Sequence, residues 1–333
     1  MQSTLSRCAI AAGLLLAVAG SARAGISYWD FNVFSRSTIG TSSSAYGSDF
    51  EGAAGAVGNA YFNGFTVKGV AGTSPSLSQA FYGGGSFALG GSSPNGGLEV
   101  AGTVTLTSAT IVGNVRSGGN LAGTTGTVTG SATVSGSNTS FLNVNGGLTT
   151  GAAFVPTVDL AAVSSYFLAA SNNAAAMAPT TGYVNNFGNL LINASGPLTV
   201  VHVSQADYTA AFGVQITGAG PVVINVAGTN LNLGFHTFNY LGGASAQSTL
   251  VNFNQATAIT FTSGGVLNTL APNAAVNFTS GVFTGNLIVG SLVGSGQVNW
   301  GGSFSGGDLL VPAPGAFAGL AALGLAAARR RRA

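Results

Sequence analysis

Ala258-Ile259-Thr260-Phe261-Thr262-Ser263-Gly264 recurs as Ala275-Val276-Asn277-Phe278-Thr279-Ser280-Gly281. Five of the seven positions are identical, a sixth exchanges Ile for Val, and the offset is 17. The same offset relates Leu270 to Leu287 and Leu287 to Phe304, and carries Ile259 and Val276 to Val293. A fixed step of this size, with short apolar alternations and Gly-rich corners, is what one coil of a β-solenoid needs. Each coil buries its inward residues on the next, while Asn and Thr occupy corners where they bond the backbone. The expected fold class is therefore mainly β, a parallel β-helix or solenoid. The alternative is a β-sandwich of hairpins, with turns every 8–12 residues.

Upstream of the repeat the pattern continues. Thr103-Val104-Thr105-Leu106-Thr107 alternates hydroxyl and apolar side chains, as do Gly126-Thr127-Val128-Thr129 and Ala132-Thr133-Val134-Ser135. Period-two patterning sends alternate side chains to opposite faces of a strand. Gly118-Gly119-Asn120 and Asn145-Gly146-Gly147 mark turns between the runs. Only 5 % of the residues are charged and 53 are Gly, with no G-X-Y period. Such a composition suits a surface protein whose outer faces carry Ser, Thr, Asn and Gly.

One segment departs from this. From Thr157 to Ala178 the chain gains Ala and loses Gly. Leu160, Val163, Phe167 and Ala170 recur on one helical face. The spacing predicts one amphipathic helix over 157–178, capped by Thr157, ended by Pro179 and Gly182, and lying along the solenoid.

Both ends read as processing signals. Arg7, the apolar run Ala9 to Gly20 and the small-residue site Ala22-Arg23-Ala24 describe a signal peptide over 1–24, cut by signal peptidase before Gly25. Cys8, the single cysteine, leaves with it. At the other end stand Val311-Pro312-Ala313-Pro314-Gly315, thirteen residues from Ala316 to Ala328 of apolar character, and Arg329-Arg330-Arg331-Arg332. This tail, 309–333, resembles the PEP-CTERM class of bacterial sorting signals in its VPAPG-like variant, with Ala313 where the commoner form carries Glu. The resemblance implies processing by an exosortase-type membrane protease. Thirteen residues fall short of the ~20 that cross a bilayer, which suits a transient inner-membrane intermediate; a permanent anchor is the alternative. The expected location is the outer cell surface or extracellular matrix.

Between the signals only Arg36, Lys68 and Arg116 face Asp30, Asp49, Glu51, Glu99, Asp159, Asp207 and Asp308, and three minus seven leaves −4. Such a surface has no basic footprint for nucleic acid. Catalytic chemistry needs converging titratable groups. His202 and His236 read as structural or surface histidines, without a partner at metal spacing. Asp49 and Glu51 could share a strand face as a glycosidase-type pair, or could each accept backbone N–H groups at a corner. Gly83-Gly84-Gly85 and Gly306-Gly307-Asp308 are isolated, so no repeated calcium motif is present. The expectation is no catalytic residue, no metal site and no cofactor. What remains is a binding surface. Thr103, Thr105 and Thr107, with Thr127 and Thr129 on a later coil, are candidates for a hydroxyl ladder, against plain β-propensity. Tyr61, Phe62, Phe65, Phe81, Tyr82 and Phe87 offer either sugar stacking or core filling.

Several stretches are identified with a known family. They are Phe31-Asn32-Val33-Phe34, Ser48-Asp49-Phe50-Glu51-Gly52, Gly58-Asn59-Ala60, Val251-Asn252-Phe253, Gln255-Ala256-Thr257, Leu270-Ala271-Pro272-Asn273-Ala274 and the run from Gly285 to Leu292. On these marks residues 25–308 resemble the choice-of-anchor A family of bacterial surface proteins. The resemblance implies an adhesive domain built as a parallel β-helix with an accompanying helix, similar to the ice-binding-protein fold. It further implies an adhesin or extracellular-matrix protein, with polysaccharide or another surface ligand as partner; an ice or carbohydrate binder using the threonines is the alternative.

Overall fold

Among the described residues the short apolar strands form the sides of coils, and nearly all of their pairings are parallel. The computed structural model describes residues 26–311, apart from 65, 69–71, 141 and 235. The expected signal peptide with Ala22, Ala24 and Gly25, and the tail from Pro312 through Gly315 and Arg329–Arg332, lie outside the described residues.

Val33–Ser35, Ala54–Ala56, Phe81–Gly83, Leu98–Val100, Val115–Ser117, Ala132–Val134 and Leu148–Thr149 pair in that order along one face. All these pairings are parallel. The chain then crosses to the far end of the stack through α1, Leu160–Ala176. From there Thr199–Val203, Val222–Val226, Thr249–Asn252, Asn268–Phe278 and Leu287–Gly294 stack back towards the start. The last of them pairs with the first strand of the chain, Val33 against Leu287. The first strand thus lies inside the stack, between two halves built in opposite directions. Among the described strands only Val184–Asn186 and Asn189–Ala194 pair antiparallel, which excludes a sandwich of hairpins.

The 17-residue step is found where the sequence repeats, with Ile259 against Val276 and Phe261 against Phe278. It does not extend as expected. Leu270 pairs with Ile288 rather than Leu287, and Val276 with Leu292 rather than Val293. The register shifts between Ala271 and Ala275, so an irregularity at Pro272-Asn273-Ala274, inside the strand, absorbs the difference. Phe304 lies outside any strand and packs edge-on against Trp29, 4.9 Å between centroids. The more regular 17-residue stack is in the first half, from Phe81 through Leu98 and Val115 to Ala132. Gly102, Gly119 and Gly136 recur there at the same step because coil corners touch. A Cβ on Gly119 would sit 2.7 Å from the Thr103 nitrogen and 2.8 Å from the Gly102 carbonyl carbon.

Two cores result. One fills the inside of the rod, from Val33, Ile39 and Phe50 through Leu106 and Val115 to Ile224 and Phe278. The second lies outside it, between α1 and the face that α1 covers. The outward row of that face runs Asn225, Asn252, Leu270, Ile288, Phe34, Gly55, Tyr82, Glu99 in register. Its middle is apolar, and α1 lays Val163, Phe167 and Ala170 upon it. Seventeen residues at ~1.5 Å make a helix of about 25 Å, which spans about five strand spacings of ~4.8 Å. Towards the end of α1 the row turns polar and so do the contacts. Asn252 donates to the Ser171 carbonyl at 3.0 Å, Asn225 to that of Ala174 at 2.8 Å, and His202 Nε2 lies 3.0 Å from that of Met177.

The helix starts at Leu160, not at Thr157, and its cap is Asp159, whose Oδ1 accepts from Ala161 and Ala162 at 3.0 Å. Thr157 is engaged elsewhere, donating its hydroxyl to Glu99 at 2.8 Å. Two further helices were not expected. The first, α2 (Gln205–Ala210), is capped by Ser204. The second, α3 (Gly307–Leu310), packs on α1, with Asn173 donating to the Leu310 carbonyl at 2.8 Å. Leu310 is buried and Val311 packs beside it, so these two residues of the expected tail rest on the domain, while Leu309 is exposed.

The seam between the two halves is held by asparagines. Asn32 donates to the carbonyls of Gly285 and Asn299 at 2.7 and 3.0 Å. Asn286 donates to those of Trp29 and Phe31 at 2.9 and 2.7 Å. Both side chains are fully buried, so each satisfies carbonyls that would otherwise be buried without partners.

Candidate functional site

The second face of the rod carries Ala60–Asn63, Phe87–Gly90, Val104–Ile111 and Leu121–Val128 side by side. Its inward residues, Phe62, Phe87, Leu89, Val104 and Leu106, belong to the inner core. Its outward residues form two registered rows. Tyr61, Ala88, Thr105 and Ala122 make one, and Asn63, Gly90, Thr107 and Thr125 the other. Ala88 and Gly90 are low between taller neighbours, so the middle strand becomes the floor of a trough. Tyr61 and Asn63 form one wall, and Thr105 and Thr107 the other, two strand spacings away or roughly 10 Å. The loop with Thr41, Ser42 and Ala45 closes one side, leaving an open cavity of about 220 Å³. No Asp, Glu, Lys, Arg or His lines it. It offers an aromatic face, four hydroxyl side chains beside the phenol, and an amide.

The five candidate threonines do not share one surface. Thr105 and Thr107 line the trough. Thr103 stands at the corner of the same face, in a ladder that ties coil to coil. Asn59 accepts from the Ser86 N–H at 2.8 Å, Ser86 from Thr103 at 3.2 Å, Thr103 from Asn120 at 3.4 Å, and Asn120 from Ser137 at 2.9 Å. After Thr107 the chain bends at Ser108, whose φ is +52°. Thr127 pairs with Thr110 and Asn143 beyond that bend, on the third face. Thr129 sits at the next corner and accepts from the Gly113 N–H at 3.1 Å.

The aromatic candidates divide as well. Phe62, Phe81 and Phe87 are buried in the inner core and Tyr82 in the outer one, while Phe65 lies outside the described residues. Of these candidates Tyr61 lines the trough. Asn63, Ala88 and Gly90 were not anticipated. Their signal in the sequence is the 17-residue register from Ala88 to Thr105 and Gly90 to Thr107, which small side chains leave faint.

The titratable groups are spread among structural tasks. Asp49 accepts from the Thr66 N–H at 2.8 Å, and Glu51 from that of Trp300 at 2.9 Å. These are corner bonds to backbone. His236 is buried, stacks on Tyr208 at 4.8 Å and lies 2.8 Å from the Tyr208 carbonyl. Among the described residues no three His, Cys, Asp or Glu side chains converge to hold a metal ion.

The family model described as "Putative Ice-binding-like adhesive domain" matches residues 27–300. The chain belongs to this family of ice-binding-like adhesive domains. The match covers the whole rod, both halves and the crossing helix. A solved structure, that of an ice binding protein from an Antarctic bacterium Flavobacteriaceae, aligns with 80 % of this chain and 80 % of its own. The identity is 15 % and the TM-score 0.30. No curated protein matches the chain.

Proposed function

We propose that this adhesive domain attaches an exported bacterial protein to extracellular polysaccharide, without chemistry, through the trough on its second face. The observation that carries the reading is the floor of Ala88 and Gly90 between Tyr61 and Thr105. An aromatic ring takes the C–H face of a sugar, while neutral hydroxyl and amide groups exchange hydrogen bonds with its hydroxyls. Few charges take part, so binding depends weakly on salt. The expected result is retention of the protein by neutral polysaccharide in affinity electrophoresis, unchanged in molar salt. Tyr61→Ala should weaken it about tenfold, the effect of losing ~1.4 kcal/mol of ring contact. Unaltered retention in Tyr61→Ala refutes the trough as the site. An ice-binding reading has less support, since the neighbours of Thr105 in its row are Ala88 and Ala122, and a water-ordering array needs hydroxyls repeated from coil to coil.

The choice-of-anchor A and PEP-CTERM resemblances support the rest of the reading. The protein would leave the cell by its signal peptide, be cut by an exosortase-type protease near Val311 to Gly315, and remain at the surface as an adhesin or matrix component. Mass spectrometry of the mature C-terminus tests this. An end within Val311–Gly315 is expected, and an intact Arg329–Ala333 end contradicts it.

A further inference from the structure

The three cations between the expected processing signals are used differently. Arg116 pairs with Glu99, and Lys68 donates to the Leu77 carbonyl. Arg36 has no carboxylate partner among the described residues, yet it is held still. It follows the first strand at the seam between the two halves. Its Nε donates to Ser164 Oγ of α1 at 2.9 Å, and its Nη1 to the Pro272 carbonyl at 3.0 Å and Asn273 Oδ1 at 3.2 Å. Both latter partners come from the irregularity that shifts register in the stack. The Nη2 group makes no hydrogen bond among the described residues. Burial lowers the guanidinium's pKa from its ordinary value: the charge has lost water without gaining an acid.

The same arginine lines an open depression of about 390 Å³, together with Ser37, Thr257, Asn273 and Ser291. None of its lining residues is acidic. A fixed guanidinium with a free N–H edge, on an arginine that lines a hollow of hydroxyls and an amide, is complementary to an oxyanion. Through strand register Ile39 lies beside Ala60, next to Tyr61, so the chain leads from Arg36 and Ser37 of the depression to the second face that carries the trough.

We propose that Arg36 binds an oxyanion carried by an acidic polysaccharide, a uronate carboxylate or a sulfate ester, while the trough holds the uncharged part of the chain. This rests on the polysaccharide-binding reading only for the identity of the carrier. The site itself is testable alone. In the full-length protein labelled with 15N-arginine, galacturonate should shift the Arg36 Nε–H resonance and galactose should not. Sulfate should shift the same resonance, which compares the two sources of the anion. Arg36→Gln should abolish galacturonate binding, and Arg36→Lys, which keeps the charge but not the fork, should weaken it about tenfold. With polymers, preference for polyuronate over neutral glucan should disappear in Arg36→Gln and in roughly 0.5 M salt, where the Debye length falls below ~5 Å. No shift with galacturonate, an equal shift with galactose, or an undiminished uronate preference in Arg36→Gln overturns the proposal, whatever the trough binds.

Discussion

Phe167→Ala should lower the stability of the domain by about 3–5 kcal/mol, the range for truncating a buried aromatic residue. Phe167 is fully buried although it lies outside the rod. Its ring meets Trp29 edge-on at 5.1 Å and Phe34 at 5.6 Å. It is the largest α1 side chain fully buried on the apolar middle of the outward row, and the flanking contacts, Val163, Ala170 and Ala174, are small. Removing it leaves a cavity over Phe34, Leu270 and Ile288, and no rearrangement of alanines can fill it. For a domain of this size the midpoint of thermal unfolding should fall by roughly 10 °C, with increased binding of a hydrophobic dye. A fall of under about 2 °C would mean that α1 does not cover this face.

Arg116→Met should cost about 3 kcal/mol, at the low end for a broken buried ion pair, since 34 % of the Arg116 side chain remains in water. The pair is directional in its consequences. Glu99 retains only 3 % side-chain exposure and holds the entrance of the crossing segment by accepting from the Thr157 N–H and hydroxyl. Arg116 completes the clasp by donating to the Val155 carbonyl at 2.6 Å. Without Arg116 a carboxylate stays buried on two neutral donors. The paired replacement Glu99→Leu with Arg116→Met removes the charge as well as its partner, and should recover much of the loss. Urea unfolding of the single and double variants measures the first effect. Limited proteolysis between Gly151 and Asp159 reads the clasp itself, because Arg116→Met removes only the bond to Val155 while the double variant also loses those to Thr157. If the double variant is no more stable than Arg116→Met, the cost does not come from an uncompensated charge.

Much of this architecture was readable before any coordinates. The inward positions of Val104 and Leu106, Ile259 and Phe261, and Val276 and Phe278 followed from alternation alone, because a strand can bury only one of its two faces. The apolar stripe of Leu160, Val163, Phe167 and Ala170 placed α1 with its inner side correct. Its cap did not follow, because Thr157 and Asp159 are both competent caps and a buried carboxylate elsewhere claimed the threonine. The threonine surface was legible only in part. Thr103, Thr105 and Thr107 alternate correctly, but a bend at Ser108 separates them from Thr127, and a bend at positive φ in a serine has no reliable sequence mark. The trough was illegible for a related reason: it is made by what Ala88 and Gly90 lack, and small residues carry no signal until their neighbours are known.

Strand alternation and the near absence of charge are local properties, and the amino-acid order of this chain determined them unaided. The order in which coils stack was decided only by the tertiary structure. Parallel backbone ladders are alike for any two coils, so hydrogen bonding by the main chain cannot choose between neighbours. The choice falls to side chains far apart in the sequence, such as Asn286 reaching the Trp29 carbonyl across 257 residues, and to an apolar outer row that becomes continuous, and so needs a helix over it, once Phe34 lies beside Ile288.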